Sequence, residues 1–201
     1  GGLLVSVLLW VKGVYAPLDA LRYGMFNLVS IATTTGYATV DYLSWPVFAP
    51  VFMLLLSGVA TSAGSTGCGI KMVRMLILLK QARREMNRLV HPRAVQPVRL
   101  GDAVVDNRVI FSVLAFMLVY GATIIGLSMV LLLTDLDPVT AFSAVIASVN
   151  CMGPGLGSVG PASNYAVLTD FQVWVCTLAM LLGRLEILSF MALLTPAFWR
   201  R

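Results

Sequence analysis

Charge is scarce in this chain. Of its 201 residues, 11% are charged and 59% are hydrophobic. An ordinary soluble domain is about 25% charged and roughly 45–50% apolar. The deficit points to an integral membrane protein. Histidine occurs once, as His91, next to Pro92 in a polar stretch. A lone solvated histidine there excludes a histidine-based metal or catalytic centre. Cysteine occurs three times, at Cys68, Cys151 and Cys176. The odd count and wide spacing exclude a disulfide framework and a cysteine metal site, leaving buried reduced thiols. Neither a Ser/His/Asp set nor a carboxylate pair stands out, so catalysis has no candidate site and no cofactor is expected.

The charge that is present is concentrated. Lys71, Arg74, Lys80, Arg83, Arg84, Arg88, Arg93, Arg99 and Arg108 all fall in one central segment. A net charge of +5 spread over a surface could suggest nucleic acid. Held in one segment between apolar runs, it marks the cytoplasmic side of a membrane protein instead. Nucleic acid is therefore not expected as a partner, and residues 71–108 are expected in the cytoplasm.

The apolar runs set the organisation. GGLLVSVLLWVKG at the start lacks the pattern of a signal peptide. It reads as the end of a spanning helix and suggests a piece of a longer protein. APLDALRYGMFNLVSIA predicts a helix too short to cross a bilayer, opened by Pro17 and Asp19 and ending near Ala32. TTTGYATVDYLS follows as an irregular polar loop. WPVFAPVFMLLLSGVA is apolar again and runs into TSAGSTGCG, a break at membrane depth. IKMVRMLILLKQARREMNRLV resumes as a basic amphipathic helix, and HPRAVQPVRLGDAVVDNR reads as a linker.

Ile110 to Thr134 is the clearest spanning segment. DLDPVTAFSAVIASVN is a second short helix, with Asp137 at the cap and Pro138 in the first turn. The Gly- and Pro-rich CMGPGLGSVGPASN comes next. DFQVWVCTLAMLLGRLEILSFMALLTPAFW reads as a last spanning helix with Arg184 and Glu186 in its middle, followed by Arg200 and Arg201. The order of elements repeats. With Gly36 set over Gly153, MFNLVSIATTTGYA lies over FSAVIASVNCMGPG with its apolar positions roughly in step, an internal duplication carried more by order than by identity.

Non-helical backbone at membrane depth must be buried in protein or line a water-filled cavity. Two such loops, each after a half-length helix, suit a pore. Carbonyl oxygens aimed inward can replace the water shell of a cation. Glycine permits the close approach and left-handed backbone this needs. The short helices would turn the negative ends of their dipoles toward the cation.

ATTTGYA, GSTGCGIKMVR, NCMGPGLGSVGP and GRLEIL, in that order, resemble the Trk/Ktr/HKT potassium transporter superfamily, most nearly its bacterial TrkH/TrkG branch. The resemblance covers nearly the whole chain. It implies an all-α integral membrane fold of tandem helix–pore-loop–helix repeats around an ion pore, multi-pass in a bacterial cytoplasmic (inner) membrane. Residues 1–90 would be a third-type repeat with a truncated first helix, 91–108 a cytoplasmic linker, and 109–201 a fourth-type repeat.

By the same resemblance, the selectivity filter comprises Thr33, Thr34, Thr35, Gly36 and Tyr37, and Asn150, Cys151, Met152, Gly153 and Pro154. Carbonyls of Thr34, Thr35, Gly36, Cys151, Met152 and Gly153 would hold K⁺. The intramembrane loop, with Gly64, Gly67, Gly69 and Lys71, would gate the pore together with a pore-facing Arg184. Implied partners are membrane lipid, the remaining two pore repeats, a second copy as a homodimer, and a cytoplasmic nucleotide-binding regulatory ring of the TrkA/KtrA type.

Rival readings are weaker. GSTGCGIK is close to the phosphate-loop pattern, but Ile70 separates Gly69 from Lys71, Met72 replaces the hydroxyl residue and no strand precedes it. A simple glycine kink, a surface turn at TTTG and a salt bridge for Arg184 are the ordinary alternatives. At the level of function the alternatives are a structural or regulatory half of a separate pore, or a membrane-embedded enzyme whose site residues are not in evidence.

Overall fold

The computed structural model describes residues 1–62, 64–65, 67–91, 96–101, 103–185, 187, 195 and 199. The described fold is helical. Helices α1 (Gly2–Val11), α2 (Pro17–Ala32), α3 (Phe48–Ser57) and α4 (Met72–Val90) come first. A two-residue antiparallel hairpin, β1 (Arg99–Leu100) with β2 (Ala103–Val104), pairs Arg99 with Val104 and Leu100 with Ala103. Helices α5 (Asn107–Leu132), α6 (Pro138–Val149) and α7 (Asp170–Arg184) complete the order.

Local chemistry explains most boundaries. Pro17 opens α2 and Pro138 opens α6, where a missing N–H costs nothing. Asp137 caps α6, its Oδ2 accepting from Thr140 N at 3.1 Å. Thr169 and Gln172 form a capping box on α7, with Gln172 Oε1 accepting from Thr169 N at 2.9 Å.

Two boundaries depart from the sequence reading, and a third runs out of the described residues. The 91–108 linker contains the hairpin, and α5 begins within it at Asn107. Asp106 caps that helix by accepting from Arg108 N, so a polar first turn precedes the apolar run. The helix after the break resumes at Met72, not Ile70. Gly69 has φ +90° and Lys71 φ +68°, while Ile70 N donates to Gly58 O at 2.7 Å and Met72 N to Thr61 O at 2.8 Å. Those bonds keep the segment looped. Finally, α7 is described as Asp170–Arg184, with Arg184 in its last turn and Ile187 helical beyond it; Glu186, Arg200 and Arg201 lie outside the described residues.

Among the described residues one helix, α5, is long and apolar enough to cross a membrane, with mean hydropathy 2.3 over its best stretch. Phe111, Leu118 and Ile125, seven residues apart along α5, are 70%, 74% and 57% exposed. A large apolar face of this kind calls for lipid or another protein surface.

Two main cores hold the helices. One joins α1, α2 and α3 around Leu9, Ile31, Tyr42 and Met53, and takes in Ala147, Met152 and Leu156 from the second half. The other joins α5, α6 and α7 around Leu131, Val145, Val149 and Ala179. A small cluster of Ile77, Val98, Ile110 and Val113 seats the hairpin against α4 and α5. Small residues set the closest crossings. A Cβ at Gly24 would lie 3.2 Å from the Ser6 backbone, and one at Gly183 would overlap the Val149 carbonyl. Such small residues let helix backbones approach closely.

Candidate functional site

The two half-length helices end alike. Thr33 caps α2, Thr34 N donates to Ile31 O at 3.1 Å and Thr35 N to Ser30 O at 2.8 Å. Asn150 caps α6, Cys151 N donates to Ser148 O at 3.0 Å and Met152 N to Ala147 O at 2.9 Å. Both are Schellman terminations, which place one residue in the left-handed region, usually glycine. Here those residues are Thr34, φ 56°, and Cys151, φ 52°. Two residues further on, Gly36 has φ +84° and Gly153 has φ +96°. The alternation of left-handed positions is the same in both loops, and it matches the register that sets Gly36 over Gly153.

Each loop is then gripped by a buried polar side chain from the helix before it. Asn27 of α2 donates from Nδ2 to Thr39 Oγ1 at 2.9 Å, and its Oδ1 accepts from Thr39 N at 3.1 Å. Ser143 of α6 donates to Leu156 O at 3.1 Å and accepts from Leu156 N at 2.9 Å. Thr39 and Leu156 both stand three residues past the loop glycine.

The loops meet. A Cβ on Gly36 would overlap the Met152 carbonyl oxygen, and one on Gly153 would sit 3.8 Å from Gly36 Cα. Beside this meeting point lies a cavity of about 430 Å³, lined by Gly36, Tyr37, Gly153, Pro154 and Tyr165 among others. A second cavity, of about 130 Å³, is lined by the break residues Gly67, Cys68, Gly69 and Lys71, by Arg74 of α4 and by Arg184 of α7. Of the glycines expected to form the gate, Gly67 and Gly69 line it and Gly64 does not. The break also reaches the first loop, since a Cβ on Gly67 would lie 3.3 Å from Thr34 Oγ1.

The side chains of the loops have separate duties. Thr33 Oγ1 donates to Val29 O at 2.7 Å and shares a 2.9 Å bond with Thr35 Oγ1. Tyr37 is 72% exposed at the larger cavity. Asn150 is buried in a polar chain: Tyr120 Oη donates to its Oδ1 at 2.7 Å, and its Nδ2 donates to Ser57 Oγ at 3.0 Å. Met152 is buried, while Cys151 is partly exposed and Cys68 and Cys176 are buried free thiols.

Sequence reasoning singled out Lys71 and Arg184 but missed the third cation of the smaller cavity. Arg74 lies over the Phe116 ring, 4.1 Å from its centroid. Its place in a basic helix hid it among anchoring charges. Tyr165 was missed as well; its Oη donates to Gly153 O at 2.9 Å. Nothing local in the sequence marks that contact. Asn27 was detectable in principle, as an amide inside an otherwise apolar half-helix.

A family model described as a cation transport protein, TrkH, matches residues 11–200. The Trk system potassium uptake protein TrkH of Vibrio parahaemolyticus is 42% identical over 199 residues, 98% of this chain and 41% of the relative. The Trk system potassium uptake protein TrkG of Escherichia coli is 39% identical over 198 residues, 98% of this chain and 40% of the relative. The crystal structure of the potassium transporter TrkH from Vibrio parahaemolyticus superposes with TM-score 0.92 at 42% identity, covering 99% of this chain and 42% of that one. The chain thus spans about two fifths of the length of the relatives it matches. On this similarity the chain belongs to the TrkH family of cation transport proteins.

Proposed function

We propose that this chain supplies two of the pore repeats of a potassium uptake protein in a bacterial cytoplasmic membrane. The observation that carries the reading is the pair of matched loops: two half-length helices with the same termination, the same left-handed positions, and loops that meet where Gly36 faces the Met152 carbonyl. The name shared by the relatives, Trk system potassium uptake protein, supports the choice of ion.

In this reading the carbonyls of Thr34, Thr35, Gly36, Cys151, Met152 and Gly153 form part of a ring that replaces water around K⁺. Residues 1–90 act as the third repeat and 109–201 as the fourth. The missing ligands come from the remaining two repeats. The larger cavity, at Gly36 and Gly153, is the outer, extracytoplasmic mouth, and the smaller one, at the break, is the inner cavity on the path to the cytoplasm. The break lies between filter and cytoplasm, and Lys71, Arg74 and Arg184 raise the barrier to a cation there. Residues 71–108 face the cytoplasm, where a nucleotide-binding ring of the TrkA/KtrA type docks, and two copies form a homodimer. Single-glycine loops of this kind select K⁺ over Na⁺ less strictly than the T-V-G-Y-G filter of tetrameric channels.

The test is K⁺ or Rb⁺ flux into liposomes carrying the full-length protein, with and without Gly153→Ser. The variant is well chosen because only Gly36 Cα lies near a new Cβ, so the side chain fits while the backbone at φ +96° is strained. Loss of K⁺ flux, or admission of Na⁺, in a well-folded variant supports the filter. Unchanged conduction, or no ion movement by the unsubstituted protein, makes the loops scaffolding and returns the chain to a structural role beside another pore.

A further inference from the structure

We infer that Tyr165 is a positioning residue of the outer filter, its hydroxyl holding the Gly153 carbonyl in the orientation that favours K⁺ over Na⁺. The inference rests on the carbonyl-filter reading above.

The second loop is held on both sides of Gly153. Met152 N is tied to Ala147 O, and Gly155 N donates to Val159 O at 2.8 Å. Between those anchors stand Gly153, which has no side chain to fix it, and Pro154, which has no N–H to give. The Gly153 peptide is therefore the loosest unit of the loop, and it lies at the mouth. Tyr165 Oη reaches its carbonyl oxygen at 2.9 Å, a full-strength hydrogen bond.

The donor itself is fixed. Tyr165 begins a short 3-10 turn, Tyr165–Val167, whose start is capped by Asn164 Oδ1 accepting from Ala166 N at 3.0 Å. Leu168 N closes the turn onto Tyr165 O at 3.1 Å, and the capping box of α7 follows at once. The ring packs on the core between α6 and α7. A phenol is protonated throughout the neutral range, so Tyr165 remains a donor.

A carbonyl oxygen has two lone pairs, so one can accept from Tyr165 while the other faces an ion. Fixing the oxygen in place limits how far it can close on a smaller cation. A loosened carbonyl can move in to meet Na⁺, and discrimination falls.

The experiment uses the full-length protein in liposomes and reads Rb⁺ uptake against increasing Na⁺, together with thermal stability. Three proteins are compared: unsubstituted, Tyr165→Phe, and Asn164→Ala, which loosens the turn but keeps the phenol. Tyr165→Phe should lower K⁺-over-Na⁺ selectivity about threefold to tenfold, the scale of one hydrogen bond. A fall in selectivity with unaltered melting supports the positioning role. Unaltered selectivity in a folded Tyr165→Phe protein overturns it. Should that variant not assemble, Asn164→Ala decides: a smaller fall supports the role and no fall overturns it. If the unsubstituted protein moves no Rb⁺, it is the filter reading that has failed, and the two failures are thereby told apart.

Discussion

Tyr120 of α5 donates its phenolic hydrogen to Asn150 at the end of α6, 2.7 Å away, and Asn150 passes the chain on to Ser57 at the end of α3. Three helices from both halves of the chain are thus tied through one amide that is 1% exposed. Asn150→Ala leaves Tyr120 and Ser57 buried without that partner. Ser57 keeps its bond to Leu54 O at 2.7 Å, so the expected cost is about 1–3 kcal/mol for the stranded Tyr120 hydroxyl, plus the lost bond to Ser57. Thermal unfolding of the detergent-solubilised full-length protein should show it, and Tyr120→Phe alone should cost less than Asn150→Ala.

Gly183 has no room for a side chain, because the Val149 carbonyl occupies the place of a Cβ. Gly183→Ala should push α7 away from the end of α6 and destabilise the protein by about 1–3 kcal/mol. Gly126, on the exposed side of α5, has nothing within 4 Å of the same position. Gly126→Ala should be neutral or stabilising by a few tenths up to about 1 kcal/mol. A paired melting measurement that ranked them in the other order would contradict the packing.

Asn27 and Ser143 grip corresponding positions past the two loop glycines. If both serve the same filter, Asn27→Ala and Ser143→Ala should each loosen selectivity for K⁺ over Na⁺. Each side chain makes two bonds to its loop residue, so each substitution should cost about 1–3 kcal/mol in stability. Competition flux and melting, done on the same preparations, check both parts.

Lys71, Arg74 and Arg184 surround the inner cavity. Removing one charge while keeping the bulk, as in Arg74→Met, should lower the barrier to cations and raise K⁺ flux. A change of about 1.4 kcal/mol in that barrier is tenfold in rate. Flux equal to or below that of the unsubstituted protein would remove Arg74 from the pathway.

Lys71 holds φ 68° and ψ 142°, a backbone region used by glycine and costly to other residues, about 1–3 kcal/mol. Lys71→Gly should therefore relieve strain and raise the melting temperature even as it removes a charge from the cavity. Lys71→Ala keeps the strain and loses the charge. A melting temperature raised equally by both would mean that charge, not backbone, is what destabilises the site.

Much of this arrangement was legible in the residues. Pro17, Asp137 and Pro138 announce the half-helices because their chemistry is local. TTTG and MGPG announce the loops because such residues are conspicuous in an apolar chain. The helix ends themselves were harder to see. A Schellman termination is usually signalled by glycine, and here threonine and cysteine occupy that place, with the glycines two positions later. Arg74, Tyr120 and Tyr165 act through partners 30 or more residues away, or on a backbone atom with no signature of its own. Their roles depend on how the helices pack, which no spacing rule encodes. The start of α5 was misplaced because a helix opens at its cap, Asp106, and not at its first apolar residue.

The empty space at Gly36 is filled by an atom from the other half of the chain. The Met152 carbonyl stands where the side chain of residue 36 would be, so the two loops share a single volume. Neither can be redesigned alone. A substitution at residue 36 would be felt first by Met152, more than a hundred residues away, and through it by Gly153. Diversification of one repeat, whether in evolution or in the laboratory, is constrained by the other, and paired changes at 36 and around 152 are the route by which such a mouth could be altered and kept intact.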